Sequence, residues 1–246
     1  MKGQWFKYLF IFIQLVLYGI FLFLDILGLN NTMLNNSLSN NIKFTVVLLC
    51  FLYVLIRSRK NADRQSIFLI LALFFTLISD VFLLLSDYYF YGVLTFILAH
   101  LFHSLRITEL HYMQISDNTG HKAIKKEFKK IIYQIFISLA IILFLWKMNI
   151  MIDGLLVACI FYFLAIISNT ALSLKLSIKF KNRRNIRYLA IGMILFLLCD
   201  INVALFNLSS YLDLASFYNK IYLISSILMW TFYAPSQVLI ALSKDT

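Results

Sequence analysis

The chain has 246 residues, of which 62% are hydrophobic and only 13% are charged. A water-soluble domain of this size would lack the polar side chains needed to cover its own surface. The formal net charge of +11 does not indicate nucleic-acid binding, because the basic residues lie in short clusters beside apolar runs, with no folded domain behind them. The composition therefore predicts a protein embedded in a lipid bilayer, whose basic residues face anionic lipid head groups.

Eight apolar runs follow one another along the chain, and most reach the roughly 20 residues with which a helix crosses a bilayer. We therefore predict an all-α integral membrane protein with eight transmembrane helices in one bundle, a single transmembrane domain over residues 1–246. The first run is too long for the apolar part of a signal peptide and is expected to be retained. The predicted spans are 5–28, 43–56, 66–86, 89–106, 128–146, 151–174, 188–208 and 217–242.

The basic residues occupy every second gap between these runs. All of the 22 Lys and Arg except Lys43, Lys147 and Lys220 lie at the two chain ends or in the gaps after the second, fourth and sixth runs. Short basic loops resist translocation across a membrane. The distribution therefore predicts a multi-pass protein of the cell membrane with its N- and C-termini in the cytoplasm.

Two connecting segments are long enough to be described separately. The Asn-rich stretch 30–41 is expected to be a solvated loop on the outer side. The segment around 107–127 is expected to be a loop with a short amphipathic surface helix through HKAIKKEFKK. His111 and His121 would then be solvated loop residues.

Two similar segments suggest an internal repeat. LFFTLISD ends at Asp80 in the third span and ILFLLCD ends at Asp200 in the seventh, 120 residues later. An offset of four spans preserves the orientation of a helix in the membrane. The pattern raises the hypothesis of two parallel four-helix repeats, whose acidic residues face each other.

Asp80 and Asp200 are the residues at which we expect chemistry. A carboxylate within a membrane helix costs about 2.5 to 3.5 kcal/mol on insertion scales, so it normally faces the bundle interior and has a partner or a function. His100 is expected at a similar depth in the fourth span. Buried Asp residues can also simply join helices through hydrogen bonds, which is the structural alternative.

Further polar and small residues recur at helical spacing on six spans, which predicts a lined cavity between them. Gly92 and Gly192 are expected on its wall, beside His100 and Asp200. The other members of these stripes are Gln14, Tyr18, Asp25, Thr76, Asp87, Phe96, His103, Tyr162, Asn169, Ser173, Phe196, Asn207, Tyr222, Ser226, Trp230, Tyr233 and Gln237.

Three stretches resemble the YhhN-like lysoplasmalogenases. They are SDVFLL at 79–84 with the following GVLTFILAHLF, GMILFLLCD at 192–200, and FYAPSQVLIALS at 232–243. The chain departs from the family pattern at His103, Cys199 and Pro235. The resemblance implies an eight-helix membrane enzyme that hydrolyses the vinyl-ether bond of a lysoplasmalogen to a fatty aldehyde and a glycerophospho-base.

The residue types suit this chemistry independently, because vinyl-ether hydrolysis needs one carboxylic acid and one anion. Two carboxyl groups in a low-dielectric site favour a shared proton. One of Asp80 and Asp200 would be the general acid, with Asp80 preferred, and the other would stabilise the cation and activate water; His100 would orient a carboxylate or the water. The remaining candidates would contact the lysophospholipid substrate, and no cofactor is expected; these candidates are Tyr233, Gln237, His103, Asn169 and Tyr222.

Three other functions are compatible with the same residues. His100 and His103 form an H-x-x-H pair that could bind zinc together with the two aspartates in a metal-dependent lipid hydrolase, although three imidazoles would make a better site. Intramembrane Asp and His also form relays in small proton-coupled transporters. A non-catalytic lipid-binding protein is the third alternative.

The charge distribution makes a prediction about topology. Single cysteines introduced into the 30–41 loop should react with a membrane-impermeant reagent in intact cells. Cysteines in the 57–65 and 179–187 loops should react only after permeabilisation, because these loops carry the basic residues. The opposite pattern would overturn the orientation.

Overall fold

The structure of the protein, a computed structural model, describes residues 2–28, 34–59, 63–113, 120–210 and 218–245. All regular structure in these residues is helical. Eight α-helices, α1 to α8, span Lys2–Gly28, Leu34–Ser58, Arg64–Asp80, Tyr89–Met113, Gly120–Lys147, Gly154–Lys179, Arg184–Phe206 and Tyr218–Leu242. A π-helix, Val81–Leu85, extends α3, and a 3₁₀ turn, Leu208–Ser210, follows α7.

Each of these eight helices is long and apolar enough to cross a membrane. Large apolar side chains cover their outer faces; on α5, Phe136, Leu143 and Phe144 are all exposed. Lipid tails solvate such side chains without the cost that water would impose, and helices satisfy their own backbone hydrogen bonds in the bilayer. The prediction of an all-α membrane protein with eight spans is confirmed.

The prediction of a loop over 30–41 is wrong from residue 34 onwards, because α2 already begins at Leu34; residues 30–33 lie outside the described part. The reason is a pair of polar contacts to α1. The hydroxyl of Ser39 donates to Asp25 Oδ1 at 2.6 Å, and the ammonium of Lys43 lies 2.9 Å from the same oxygen. These contacts hold the Asn-rich segment against α1 as a helix.

The predicted 107–127 loop is also largely helical. α4 continues to Met113, so Arg106 and His111 are helix residues, and Arg106 is fully buried. α5 begins at Gly120 and runs without a break into the fifth span, so HKAIKKEFKK is not a separate surface helix. The side chain of His121 lies outside the described residues. Burial of Glu127 against α4, where it accepts hydrogen bonds from Ser104 and Thr108, explains the continuous helix.

The helix neighbours follow a two-fold pattern. α3 packs on α4 as α7 packs on α8, and α4 packs on α6 as α8 packs on α2. The contacts α1–α2, α2–α3 and α1–α8 correspond in the same way to α5–α6, α6–α7 and α5–α4. Exchanging each helix with the one four positions away therefore maps these contacts onto one another, which is the arrangement that two parallel four-helix repeats require.

Residues near the end of the chain connect the basic ends of several helices. The carboxylate of Asp245 accepts hydrogen bonds from Tyr53 at 2.6 Å and from Arg57 at 2.9 Å, and it lies 3.4 Å from the ammonium of Lys7. The beginning of α1, the end of α2 and the residues after α8 therefore lie on the same side of the bundle. An even number of spans requires this arrangement.

Gly92 and Gly192 lie at helix contacts and not on a cavity wall as expected. A Cβ atom at Gly192 would lie 2.8 Å from Ile240 Cγ1 and 3.1 Å from the backbone oxygen of Ser236. The glycine thus lets α7 and α8 approach closely, as small residues do between membrane helices. A Cβ at Gly92 would meet the side chain of Leu83 at 2.5 Å.

This contact predicts an effect on stability. Gly192→Leu should lower the unfolding free energy by about 1 to 3 kcal/mol, because the added side chain would separate α7 from α8. Gly19→Leu is the matched control, since a Cβ at Gly19 has no neighbour within 4 Å. Thermal unfolding of both purified variants in detergent measures the difference; equal midpoints would contradict the close α7–α8 contact.

Candidate functional site

Asp80 is the last residue of α3 and lies directly before the π-helix. Its side chain is 2% exposed. The hydroxyl of Tyr233, on α8, lies 2.9 Å from each of the two carboxylate oxygens and donates to them. Short π-helical segments are frequent at functional sites, and here one follows a buried acid.

Asp200, in the last part of α7, has an equivalent partner. The hydroxyl of Tyr162, on α6, donates to Asp200 Oδ2 at 2.7 Å. Asp200 is 8% exposed. Asp80 and Asp200 are therefore each held by a tyrosine from another helix, as burial of a polar group in an apolar medium requires.

The two Tyr–Asp pairs belong to one aromatic cluster. The ring of Phe96 lies 5.7 Å from that of Tyr162 and 6.4 Å from that of Tyr233, and Phe196 lies 5.4 Å from Tyr233. The structure thus brings Asp80 and Asp200, predicted from separate spans, into the same part of the bundle interior.

His100 joins the cluster through its ring. It is fully buried, with ring centroids 5.1 Å from Tyr162 and 4.9 Å from Phe196. Neither ring nitrogen has a hydrogen-bond partner among the described residues. His100 therefore lies beside the tyrosine that holds Asp200 and makes no direct hydrogen bond to either carboxylate here.

His103 lies one turn further along α4, with its ring 5.9 Å from that of His100. It too is fully buried with both ring nitrogens unpartnered among the described residues. Gln237, on α8, is fully buried; its Nε2 is 3.4 Å from Ser236 Oγ, and its Oε1 has no partner in the described part of the chain. These three side chains retain hydrogen-bonding capacity for a bound molecule.

Asn169 has a different environment from the one expected of a residue that contacts substrate. Its amide donates to the backbone oxygen of His100 at 2.7 Å, and its Oδ1 accepts from Lys130 at 3.1 Å. Lys130 in turn lies 3.1 Å from Glu127. Asn169 therefore fixes the backbone of α4 at His100 through a buried polar cluster shared by α4, α5 and α6.

Tyr222 is not brought to the carboxylates by this arrangement. It is 44% exposed near the beginning of α8, and its ring stacks on that of Phe206 with centroids 4.2 Å apart. Tyr233 and Gln237 lie three and four turns further along the same helix, within the buried part of the bundle.

Several residues of this region were not assigned to the site from the sequence. Tyr162 was recognised only as part of a polar stripe, and its role as the partner of Asp200 depends on how α6 meets α7. Arg106 was expected at the end of the fourth span, among the basic residues of the following gap, yet its Nη2 donates to Ser243 O at 3.0 Å inside the bundle. Arg106 follows His103 by three positions, and this spacing places both side chains on the same face of α4, which was the indication in the sequence that Arg106 points into the bundle.

Lys43 and Trp230 extend the site towards α1 and α2. The ammonium of Lys43 lies 5.0 Å from the centre of the Trp230 ring, and that ring is perpendicular to the ring of Tyr233 at 5.1 Å. A cation over an aromatic face is an attractive contact in a desolvated site. The sequence contained one indication of this role: Lys43 is one of the three basic residues on the side of the membrane that is otherwise poor in Lys and Arg.

Among the described residues, no three His, Cys, Asp or Glu side chains converge in a way that could hold a metal ion. His100 and His103 supply two imidazoles, and the carboxylates are held by tyrosines. The side chains around the acids are acceptors, donors and aromatic rings, which suit proton transfer and contact with an apolar chain.

The YhhN family model matches residues 39–244, from early α2 to the second residue after α8. The chain belongs to the YhhN family. The match includes all the site residues predicted from the sequence. Residues 1–38, which include α1 and the beginning of α2, precede the match. No curated protein sequence and no solved structure matched the chain.

Proposed function

We propose that this member of the YhhN family is a membrane-embedded hydrolase that cleaves the vinyl-ether bond of lysoplasmalogens. The products would be a fatty aldehyde and a glycerophospho-base. The observation that carries the proposal is the pair of buried aspartates, each hydrogen-bonded by a tyrosine of another helix and both within one aromatic cluster. Such a pair can supply one carboxylic acid and one carboxylate anion in a buried site, and vinyl-ether hydrolysis needs both.

The first step is proton transfer to carbon. Asp80, in its neutral form, donates its proton to the vinyl carbon that is not bonded to the ether oxygen, and the double-bond electrons form the new C–H bond. A lone pair of the ether oxygen then stabilises the positive charge as an oxocarbenium ion. The carboxylate of Asp200 offsets this charge, an effect that is strong in a site from which water is largely excluded.

The second step adds water and breaks the C–O bond. Asp200 accepts a proton from water while the water oxygen bonds to the cationic carbon, which gives a hemiacetal. Asp200 then donates this proton to the glycerol oxygen as the C–O bond breaks, and Asp80 takes the hydroxyl proton, which leaves the aldehyde. Both carboxyl groups regain their starting forms, so one water molecule is consumed and no net proton is exchanged.

Other side chains of the site have supporting roles in this scheme. Tyr162 and Tyr233 orient the carboxylates through their hydroxyls. The unpartnered nitrogens of His100 and His103 and the oxygen of Gln237 are available to water and to polar groups of the lysophospholipid. The aromatic rings supply walls for its alkenyl chain. We assign Tyr222 no role next to the reacting bond, because it stacks on Phe206 outside the cluster.

The position of the acids fits a single-chain lipid. Asp80 precedes the Asp87 turn by seven residues, which corresponds to about 10 Å below the membrane interface at that end. A lysolipid with its polar head near the interface would bring the bond next to its glycerol to this depth. We further propose that the protein resides in the cell membrane, with both chain ends in the cytoplasm, and acts without a cofactor or a nucleic-acid partner.

The acid pair makes the principal prediction. Asp80→Asn and Asp200→Asn should each lower turnover of a lysoplasmalogen by at least about 100-fold, the usual effect of removing a general acid or base. Mass spectrometry of the lipid incubated with purified protein measures the aldehyde and the glycerophospho-base. Asp87→Asn is the matched control, because Asp87 is exposed in the turn before α4.

The same assay separates the alternatives. Full activity in either Asn variant, with normal folding, would move that aspartate to a purely structural role. Loss of wild-type activity on chelation, restored by zinc, would favour the metal-dependent hydrolase. Absence of turnover in the wild-type protein with every lysolipid tested would favour a transporter or a lipid-binding protein.

The tyrosine partners make a weaker and graded prediction. Tyr162→Phe and Tyr233→Phe keep the aromatic ring and remove one hydrogen bond to a carboxylate, so turnover should fall by about tenfold, which corresponds to roughly 1.4 kcal/mol. Tyr8→Phe, at an exposed tyrosine of α1, should have no effect. Unchanged kcat in both site variants would mean that the tyrosines do not orient the reacting groups.

A further inference from the structure

A groove opens between α5 and α6 on the outside of the bundle. It is open to the outside and has a volume of about 460 Å³. Ile137 on α5 and Leu164 and Ile167 on α6 form its apolar walls, and Tyr133 lies along it. The amide of Gln134 donates to the backbone oxygen of Leu164 at 3.4 Å and so joins the two helices within the groove.

Two lysines lie at one end of the groove, Lys129 and Lys130. Lys147 lies at the other end of α5, 18 residues after Lys129, which corresponds to about 27 Å along the helix. Lys129 and Lys130 therefore lie near the membrane interface opposite to that of Lys147. Ile137 is about 12 Å from Lys129 along the helix. The groove therefore has a basic end at the interface and an apolar part that extends towards the middle of the bilayer.

The two lysines differ in their contacts. Lys130 lies 3.1 Å from Glu127 and donates to Asn169, so its charge belongs to the buried polar cluster beside His100. Lys129 is exposed and lines the groove. A lysine at this level extends its ammonium towards the lipid head groups while its methylene chain stays on apolar surface.

We propose that the α5–α6 groove binds a glycerophospholipid of the surrounding membrane, with its phosphate at Lys129 and the first part of one fatty chain against Ile137, Leu164 and Ile167. Charge and shape select this occupant: a phosphate next to a long apolar chain matches a basic end next to apolar walls. Basic pockets between transmembrane helices on the cytoplasmic side bind lipid head groups in this way.

This lipid site is separate from the carboxylate pair. The helix α6 stands between them, with Tyr162 facing Asp200 on the inside and Ile167 facing the groove on the outside. The inference therefore does not rest on the proposed hydrolysis. A bound lipid would instead hold α5 against the rest of the bundle; among the described residues, the extensive contacts of α5 are with α4 and α6.

Native mass spectrometry of the full-length protein in detergent tests the proposal, with phosphatidylglycerol or diacylglycerol added as the probe. The wild-type protein should retain phosphatidylglycerol and not diacylglycerol. Lys129→Gln should weaken retention by about fivefold, the effect expected for one lysine next to an anionic lipid. Ile167→Trp should lower retention of phosphatidylglycerol by filling the groove.

Two matched variants provide the controls. Lys175→Gln removes an exposed lysine of α6 outside the groove, and Ile178→Trp enlarges an exposed apolar residue of the same helix; both should retain lipid like the wild type. Equal retention by all variants would mean general lipid coating and overturn the proposal. Retention of diacylglycerol equal to that of phosphatidylglycerol would also overturn the proposal. Displacement of the bound lipid by inorganic phosphate alone at millimolar concentration would overturn it as well, because it would indicate a site for a free anion. Because no turnover is measured, these outcomes are independent of the hydrolase proposal.

Discussion

The bundle depends on the requirement that a carboxyl group inside a bilayer must have a hydrogen-bond partner. Asp80 and Asp200 each meet this requirement with a tyrosine from another helix, so one bond connects α3 with α8 and the other connects α7 with α6. Together the two bonds connect four of the eight helices described, in two pairs. Phe96 packs against both tyrosine rings and Phe196 packs against Tyr233, so the two pairs share one aromatic cluster.

The two halves of the bundle match in their helix contacts but differ at this site. Asp80 of α3 accepts its hydrogen bond from Tyr233 of α8. If the two halves were strictly equivalent, Asp200 of α7 would accept its hydrogen bond from a residue of α4. Asp200 instead accepts its hydrogen bond from Tyr162 of α6, while α4 contributes Phe96 and His100 to the cluster. The two carboxyl groups thus have unequal surroundings, which is the condition under which such a pair can divide the roles of acid and base.

The hydropathy pattern was sufficient to predict the eight spans, because each must be apolar over its whole length. It also indicated that Asp80 and Asp200 face inward, since exposure to lipid would be costly. Helix ends were less predictable. Ser39 was expected in a loop and Arg106 at the edge of one, because their partners, Asp25 and the backbone of Ser243, are not evident from the sequence. Such partners lie far away in sequence or on another helix, and spacing along one helix contains no information about them.

The ion pairs of Asp245 have a consequence for the order of assembly. Lys7, Tyr53 and Arg57 enter the membrane with the first two helices, but the carboxylate that joins them follows α8. During synthesis these cations and the tyrosine must therefore remain at the interface with water or lipid phosphates as temporary partners. The contacts of these side chains with Asp245 can form only after the 188 positions that separate Arg57 from Asp245 have been synthesised, so this side of the bundle is joined together late, after α8 has entered the membrane.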